Sequence, residues 1–367
     1  MKVLVTGGDG FIGKNLLAKL AESSIEYVSF TSHQSADELA NLLKDIDFIF
    51  HLAGVNRPQD LADFDRQNHG LTANLCAAIR TTGRAMPLVY TSSIQADLYN
   101  PYGNSKRAAE EELIRLNART QSPIYLYRLP NVFGKWAKPN YNSVVATFCN
   151  NIAQNIPIRI DDAEKIVPLL YIDDLIESFM NVLSNPQSGI LRPMVKPEYS
   201  ISVGDLAGQI KAFHNSRSTL ITEEVGAGLA RSLYATYLSY LRPAQFAYEV
   251  ASHEDARGRF VEMLKTKDSG QFSFFTVHPG ITRGGHYHHT KSEKFLVLQG
   301  LARFGFRNIV NNETYELTVD GLSPTIVETI PGWTHDITNI GENELIVMLW
   351  ASEAFDRVKP DTIANKV

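Results

Sequence analysis

The chain has 367 residues, more than one small module holds, so two folded units are expected. Apolar residues make up 44% and charged ones 20%, with a mean hydropathy of -0.15, a globular balance that excludes a bundle of membrane spans. A net charge of -5 offers no basic footprint for a phosphate backbone, so neither nucleic acid nor an anionic membrane is an expected partner. Met1 and Lys2 run directly into a predicted strand at 2–6, which leaves no room for a cleavable signal segment. Further strands are predicted at 27–30, 48–52, 87–91 and 124–129, with helical spacing between them at 11–21, 72–81 and 105–120. This alternation predicts a parallel sheet built from β-α-β units. The two cysteines, Cys76 and Cys149, lie far apart and outside any CxxC, which excludes a disulfide framework and fits a reducing cytoplasm. After residue 248 the texture changes to short strand-like runs at 272–277, 294–298, 302–306, 313–317, 324–328 and 344–350, a pattern for an all-β sandwich or barrel. Pro243 and the polar run 253–259 put the seam near 245, dividing residues 1–245 from 246–367.

The first strand leads into Gly7, Gly8, Asp9, Gly10, Phe11, Ile12 and Gly13, and a helix starts inside that turn. Gly7 lets the chain turn off the strand, Gly10 lets backbone approach a pyrophosphate, and Gly13 lets the helix pack closely, with the anion at the helix N-terminus. A glycine-rich turn without a ligand is the plain alternative. The position, between an apolar strand and an amphipathic helix, favours a dinucleotide. Where the second strand ends stand Thr31, Ser32 and His33, with no acid to grip the ribose hydroxyls, so NADPH is expected rather than NADH. Further on, Ser92 and Ser93 close a strand, and Tyr102 precedes Lys106 by one helical turn, which puts both on one face. There the ammonium stabilises a phenolate and lowers the tyrosine from its ordinary ~10, making a proton donor for a carbonyl.

Several other positions agree: His51, Leu52, Ala53 and Gly54; Asn68, Gly70, Thr72, Asn74 and Leu75; Arg128, Asn131, Val132, Phe133 and Gly134; Tyr171, Ile172, Asp173 and Asp174. On these residues the first 245 resemble an extended short-chain dehydrogenase/reductase of the nucleotide-sugar-modifying kind. The resemblance implies an α/β Rossmann-type domain, with Ser93 as hydroxyl partner, Tyr102 as general acid and Lys106 as its activator. It also implies Leu52, Ala53 and Gly54 beside the cofactor, and Asn131 and Lys135 on the substrate, followed by Trp136 and Asn142. Ser92 is the alternative to Ser93. Ile94 and Gln95 stand where dehydrating members carry Asp-Glu, which favours reduction or epimerisation. Asp173 and Asp174, just before Leu175, are expected to cap a helix.

Of ten histidines, six lie at or beyond His253, and three fall within 286–289. Gly280, His286, His288, Glu293 and Gly300 follow G-x5-HxH-x4-E-x6-G, and Pro331, Gly332, His335 and Asn339 follow PGxxH-x3-N. Alternate strand residues share a face, so His286 and His288 project together, Glu293 closes a three-ligand site and His335 adds a nitrogen after a turn. The spacing resembles both halves of the cupin motif, with Thr325 in place of the second half's leading glycine, and implies an all-β cupin (jelly roll) domain. Such a donor set suits zinc, manganese, iron or nickel, with zinc the first choice. A metal-free sugar-binding rim is the alternative. Tyr287, His289, Lys291 and Arg283 are candidate acids or bases around it.

The whole chain resembles the bifunctional capsular-polysaccharide enzymes on the route to UDP-N-acetyl-L-fucosamine. The resemblance implies C3 epimerisation of UDP-2-acetamido-2,6-dideoxy-4-hexulose in the cupin, then NADPH-dependent C4 reduction to UDP-2-acetamido-2,6-dideoxy-L-talose. Chemistry sets the order: the C4 ketone acidifies the C3 hydrogen, and reduction removes that acidity. Rival readings are a reductase whose cupin only binds sugar or stabilises a dimer, a dioxygenase fused to a dehydrogenase, and a non-enzymatic sugar sensor. A homodimer is expected, through jelly-roll edge strands or the tyrosine-rich segment 233–240.

Overall fold

A computed structural model describes residues 1–31, 34, 36–251, 253–255, 258–260, 263–266, 270–353 and 358–367. Packing divides the chain into two compact units, Met1–Ser143 with Val167–Ser200, and Val144–Ile166 with Ile201–Val367. In the first unit, β1 (Lys2–Thr6), β2 (Glu26–Phe30), β3 (Phe48–His51), β4 (Leu88–Ser93) and β5 (Ile124–Leu129) form a parallel sheet. Its order is β2-β1-β3-β4-β5, extended by the short strand Ile190–Leu191. Leu4, Ile49, Leu88 and Leu126 from the sheet pack with Leu75, Ile79, Leu113 and Leu116 from the helices Leu71–Thr82 and Pro101–Thr120. The chain runs outward from β1 to β2 and then crosses back to β3, so a crevice opens beyond the carboxyl ends of β1 and β3, where such sheets hold ligands.

The helix predicted from residue 105 begins four residues earlier, at Pro101. Asn100 caps it, accepting the Gly103 N–H at 2.8 Å, and Pro101 takes the first position, where its missing N–H would be unpaired anyway. Tyr102 therefore sits in the first turn, with Lys106 one turn further on.

In the second unit, two five-stranded antiparallel sheets build the expected jelly roll. One is ordered Ala247–Glu249, Thr325–Glu328, Glu293–Gln299, Leu345–Ala351, Gln271–Val277. The other is ordered Thr314–Asp320, Leu301–Asn308, Trp333–Asn339, Thr282–Tyr287, Ile363–Ala364. Phe246 is fully buried, its ring edge-on to Trp333 at 5.0 Å and to Phe306 at 5.3 Å.

The helices Val144–Ala153, Val203–Thr219 and Gly228–Leu238 pack with this β-structure. Charge holds them there as well as apolar contact. Glu328, buried in the sheet, accepts Lys294 Nζ at 2.7 Å and the Tyr234 hydroxyl at 3.4 Å, and faces Arg217 at 3.2 Å. Burial opposes ionisation of Glu328, but the two cations outweigh it and hold the carboxyl below its ordinary range. The residues of the tyrosine-rich segment from Leu233 to Leu238, expected at a dimer contact, are instead buried within this unit. Their apolar side chains serve the chain's own core. Among the described residues, no helix is long and apolar enough to cross a membrane.

Candidate active site and metal centre

A cavity of about 690 Å³ opens at the crevice, lined by Gly7, Asp9, Gly10, Phe11, Ile12 and Gly13 together with Ser93, Tyr102, Lys106 and Asn131. Gly7 has φ +73°, and a Cβ there would lie 2.7 Å from Ala53 N; a Cβ on Gly13 would lie 2.2 Å from Gly7 O. No larger residue fits either position. Gly10 precedes the helix Phe11–Glu22, whose first turn has no side-chain cap and no acid, so its N–H groups suit a pyrophosphate. Leu52 and Gly54 also line the cavity. Ala53 packs under the glycine loop, its N–H donating to Thr6 Oγ1 at 3.3 Å. Ser32 and His33, expected near the ribose of the dinucleotide, lie outside the described residues.

Ser93 ends β4 and lines the cavity with Tyr102, close enough to act on its phenol. Burial raises the Tyr102 pKa, with Ser93 pulling against it, so the lowering expected from Lys106 is not found. Lys106 Nζ donates to Thr91 O at 2.9 Å and lies 6.0 Å from the Tyr102 ring centre. The neighbouring serine serves another purpose: Ser92 Oγ donates to Glu110 at 2.5 Å, and Arg128 grips the same carboxylate at 2.7 Å and Asp97 at 2.6 Å. Ser93 is thus the serine beside the phenol. Asn68, on the π-helical turn Asp65–Gly70, joins the loop after β3 to the helix of Tyr102, accepting from Val55 N at 2.9 Å and donating to Ser105 Oγ at 3.0 Å. His51 is held between Thr6 and Thr72 at 2.7 and 2.9 Å, and burial, with Lys106 adding to it, lowers its pKa to about 3.

Burial lowers Lys106 to about 8, with Glu110 opposing. Below that pH the side chain is charged; above it the charge is lost. If Tyr102 donates the proton, as expected, it leaves a phenolate that needs the charge, and kcat for reduction should then fall as pH rises through about 8. A pH–rate profile with no loss on that alkaline limb would contradict this role.

Asn131 lines the cavity and donates to Pro168 O at 3.1 Å. Lys135, expected on the substrate, does not line it: the ammonium is buried and bonded to Asp173 at 2.8 Å. The helix Ile172–Ser184 starts after Tyr171 with no side-chain cap, so neither Asp173 nor Asp174 is the N-cap residue, but both stand in the first turn, where the helix dipole favours an acid. Trp136 and Asn142 line the cavity, beside Tyr141 and Lys138.

The second site lies between Thr282–Tyr287 and its antiparallel neighbour Trp333–Asn339, where a bulge between Gly284 and His286 sets His286 opposite His335. His286, His288, Glu293 and His335 each offer a ligand atom, and these atoms all lie within 4.8 Å of one another. Nε2 of His288 and of His335 is buried without a hydrogen-bond partner, facing Glu293 Oε2 at 3.2 and 3.5 Å. Burial lowers His286 to about 3 and also lowers His335, the direction that favours the neutral form a metal ligand takes. Burial opposes the Glu293 charge, but His288 and His335 outweigh it and hold the carboxyl well below its ordinary range. Orphaned nitrogens converging on a carboxylate fit a divalent cation. Around the cluster, Lys291 Nζ holds Glu293 Oε1 at 2.9 Å, Arg283 stacks over Phe275 at 5.2 Å, and the Tyr287 ring lies 5.5 Å from His289.

Residues 3–195 match the NAD dependent epimerase/dehydratase family, and residues 253–363 match the polysaccharide biosynthesis C-terminal domain. The chain belongs to the NAD dependent epimerase/dehydratase family, with a second domain of the polysaccharide biosynthesis type. It is 57% identical, over 100% of its length and 99% of the relative's, to UDP-2-acetamido-2,6-beta-L-arabino-hexul-4-ose reductase of Pseudomonas aeruginosa. Among solved structures, capsular polysaccharide assembling protein CapF from Staphylococcus aureus matches over 100% of both chains, with 36% identity and a TM-score of 0.67. MoeE5 in complex with UDP-glucose and NAD shares the fold over 57% of this chain and 81% of its own, with 22% identity and a TM-score of 0.52.

Proposed function

We propose that the protein is a bifunctional UDP-sugar enzyme. Residues 246–367 carry out metal-dependent C3 epimerisation of UDP-2-acetamido-2,6-dideoxy-4-hexulose, and residues 1–245 then reduce C4 with NADPH to give UDP-2-acetamido-2,6-dideoxy-L-talose. One observation carries the reading: a single chain holds a Ser93, Tyr102 and Lys106 constellation beside a glycine loop, and a buried cluster of three histidines and a carboxylate. Full-length similarity to a UDP-hexul-4-ose reductase supports the substrate class. The proposal includes a cytoplasmic homodimer, on cysteine usage and the edge strands of the jelly roll.

Gly7, Gly10, Gly13 and the helix start would hold the dinucleotide, whose chemistry is hydride delivery. Ser93 hydrogen-bonds the C4 oxygen, Tyr102 protonates it, and Lys106 stabilises the phenolate left behind. Asn131 and Tyr141 border the space for the sugar nucleotide. In the cupin, His286, His288, Glu293 and His335 would hold a divalent metal, zinc first, which supplies Lewis-acid polarisation of a ketone. The test is incubation with the 4-keto UDP-sugar in deuterated water. Deuterium should enter C3 without NADPH, and NADPH should then be consumed as C4 is reduced. Deuterium at no position would sink the epimerase half, and absence of NADPH oxidation the reductase half.

A further inference from the structure

Asp361 belongs to neither half of the histidine motif, yet it binds the loop that carries two of the four candidate ligands, His288 and Glu293. One of its carboxylate oxygens accepts the His289 N–H at 2.8 Å. The other accepts the Thr290 N–H at 2.7 Å, the Thr290 hydroxyl at 2.9 Å and the Lys291 N–H at 2.7 Å. Three successive backbone donors thus converge on one carboxylate, and their bonds favour its charged form, so the loop cannot shift without stranding it. The adjoining Thr362 accepts Lys291 Nζ at 3.2 Å, and that ammonium holds Glu293 Oε1.

The Asp361 backbone carbonyl meets His288 Nδ1 at 2.5 Å. A carbonyl oxygen only accepts, so the contact places the ring proton on Nδ1. Nε2 is then the nitrogen left for a cation, and it faces Glu293 Oε2 at 3.2 Å, a gap that a proton bridges until a metal replaces it. We propose that Asp361 is a positioning residue for the metal centre, its carboxylate setting the course of the ligand-bearing loop and its carbonyl fixing His288 in the tautomer that offers Nε2 to a divalent cation. The inference rests on the ligand set proposed above. Asp361 itself touches neither cation nor substrate. Its influence passes through His288, as with other groups that orient a ligating imidazole.

The experiment is a titration of metal-stripped, full-length protein with Co2+, followed by absorption. Wild type should bind and His288→Ala should not. Asp361→Ala should weaken Co2+ affinity about 10–100-fold. Asp361→Asn, almost the same shape, should also weaken binding, and it decides the matter if the alanine variant does not fold. Nitrogen-15 shifts of His288 in the metal-free protein give a readout that a merely structural role would not move: Nδ1 should be fully protonated in wild type and only partly so in Asp361→Asn. Wild-type affinity and unchanged Nδ1 protonation in folded variants would overturn the inference and leave the ligand set standing. Failure of the wild type to bind Co2+ would remove the ligand set, and this inference with it.

Discussion

Replacing Tyr102 with phenylalanine should lower kcat for NADPH-dependent reduction about 10²–10⁴-fold, because it deletes the proposed proton donor and little else. The ring keeps its packing against Phe64 at 5.6 Å, so thermal stability should stay close to that of wild type. Lys106 keeps its bond to Thr91, and Ser93 keeps its bond from Gln95 N. The informative half is what survives. On the proposed division, deuterium exchange at C3 belongs to the histidine cluster and should continue at the wild-type rate, as followed by NMR of the sugar. Undiminished NADPH oxidation would exclude Tyr102 as the acid, and loss of both activities would mean that the two sites are not chemically independent.

His335→Ala should produce the opposite division. It removes one of four ligand atoms from a buried cluster and leaves the glycine loop and Tyr102 untouched. Lewis-acid polarisation contributes several kcal/mol to a barrier, so C3 exchange should slow by about 10³-fold. Reduction of a substrate already epimerised at C3 should proceed normally. Elemental analysis for bound metal, together with the exchange rate, checks both statements. If stripping the metal leaves turnover of the 4-keto sugar unchanged, the cupin only binds sugar or supports a dimer.

Both sites were legible because their defining residues are neighbours in sequence. Tyr102 and Lys106 are one turn apart on a helix announced by Asn100 and Pro101, and His286, His288 and Glu293 surround one bulged strand end. The features that escaped depend on partners far along the chain. Ser92 and Ser93 are adjacent, and only Glu110, positioned by Arg128, claims the first and leaves the second beside Tyr102. Lys135 carries no mark of the buried Asp173 pair that withdraws it from the cavity. Asp361 lies 73 residues from His288, and no local pattern points to that contact. The strands Thr282–Tyr287 and Trp333–Asn339 lack long apolar runs, because they spend positions on glycine and on ligands, so hydrophobicity alone does not mark them.

The chain passes between its two compact units three times, after Ser143, Ile166 and Ser200. The line that divides the proposed chemistries, near 245, is therefore not a line along which a gene can be cut. A fragment starting at 246 would carry Glu328 and Lys294 without Arg217 and Tyr234, exposing the surface that three helices cover. The portable piece for swapping this jelly roll onto another reductase is 144–166 together with 201–367, the first grafted as an insertion and the second appended after it.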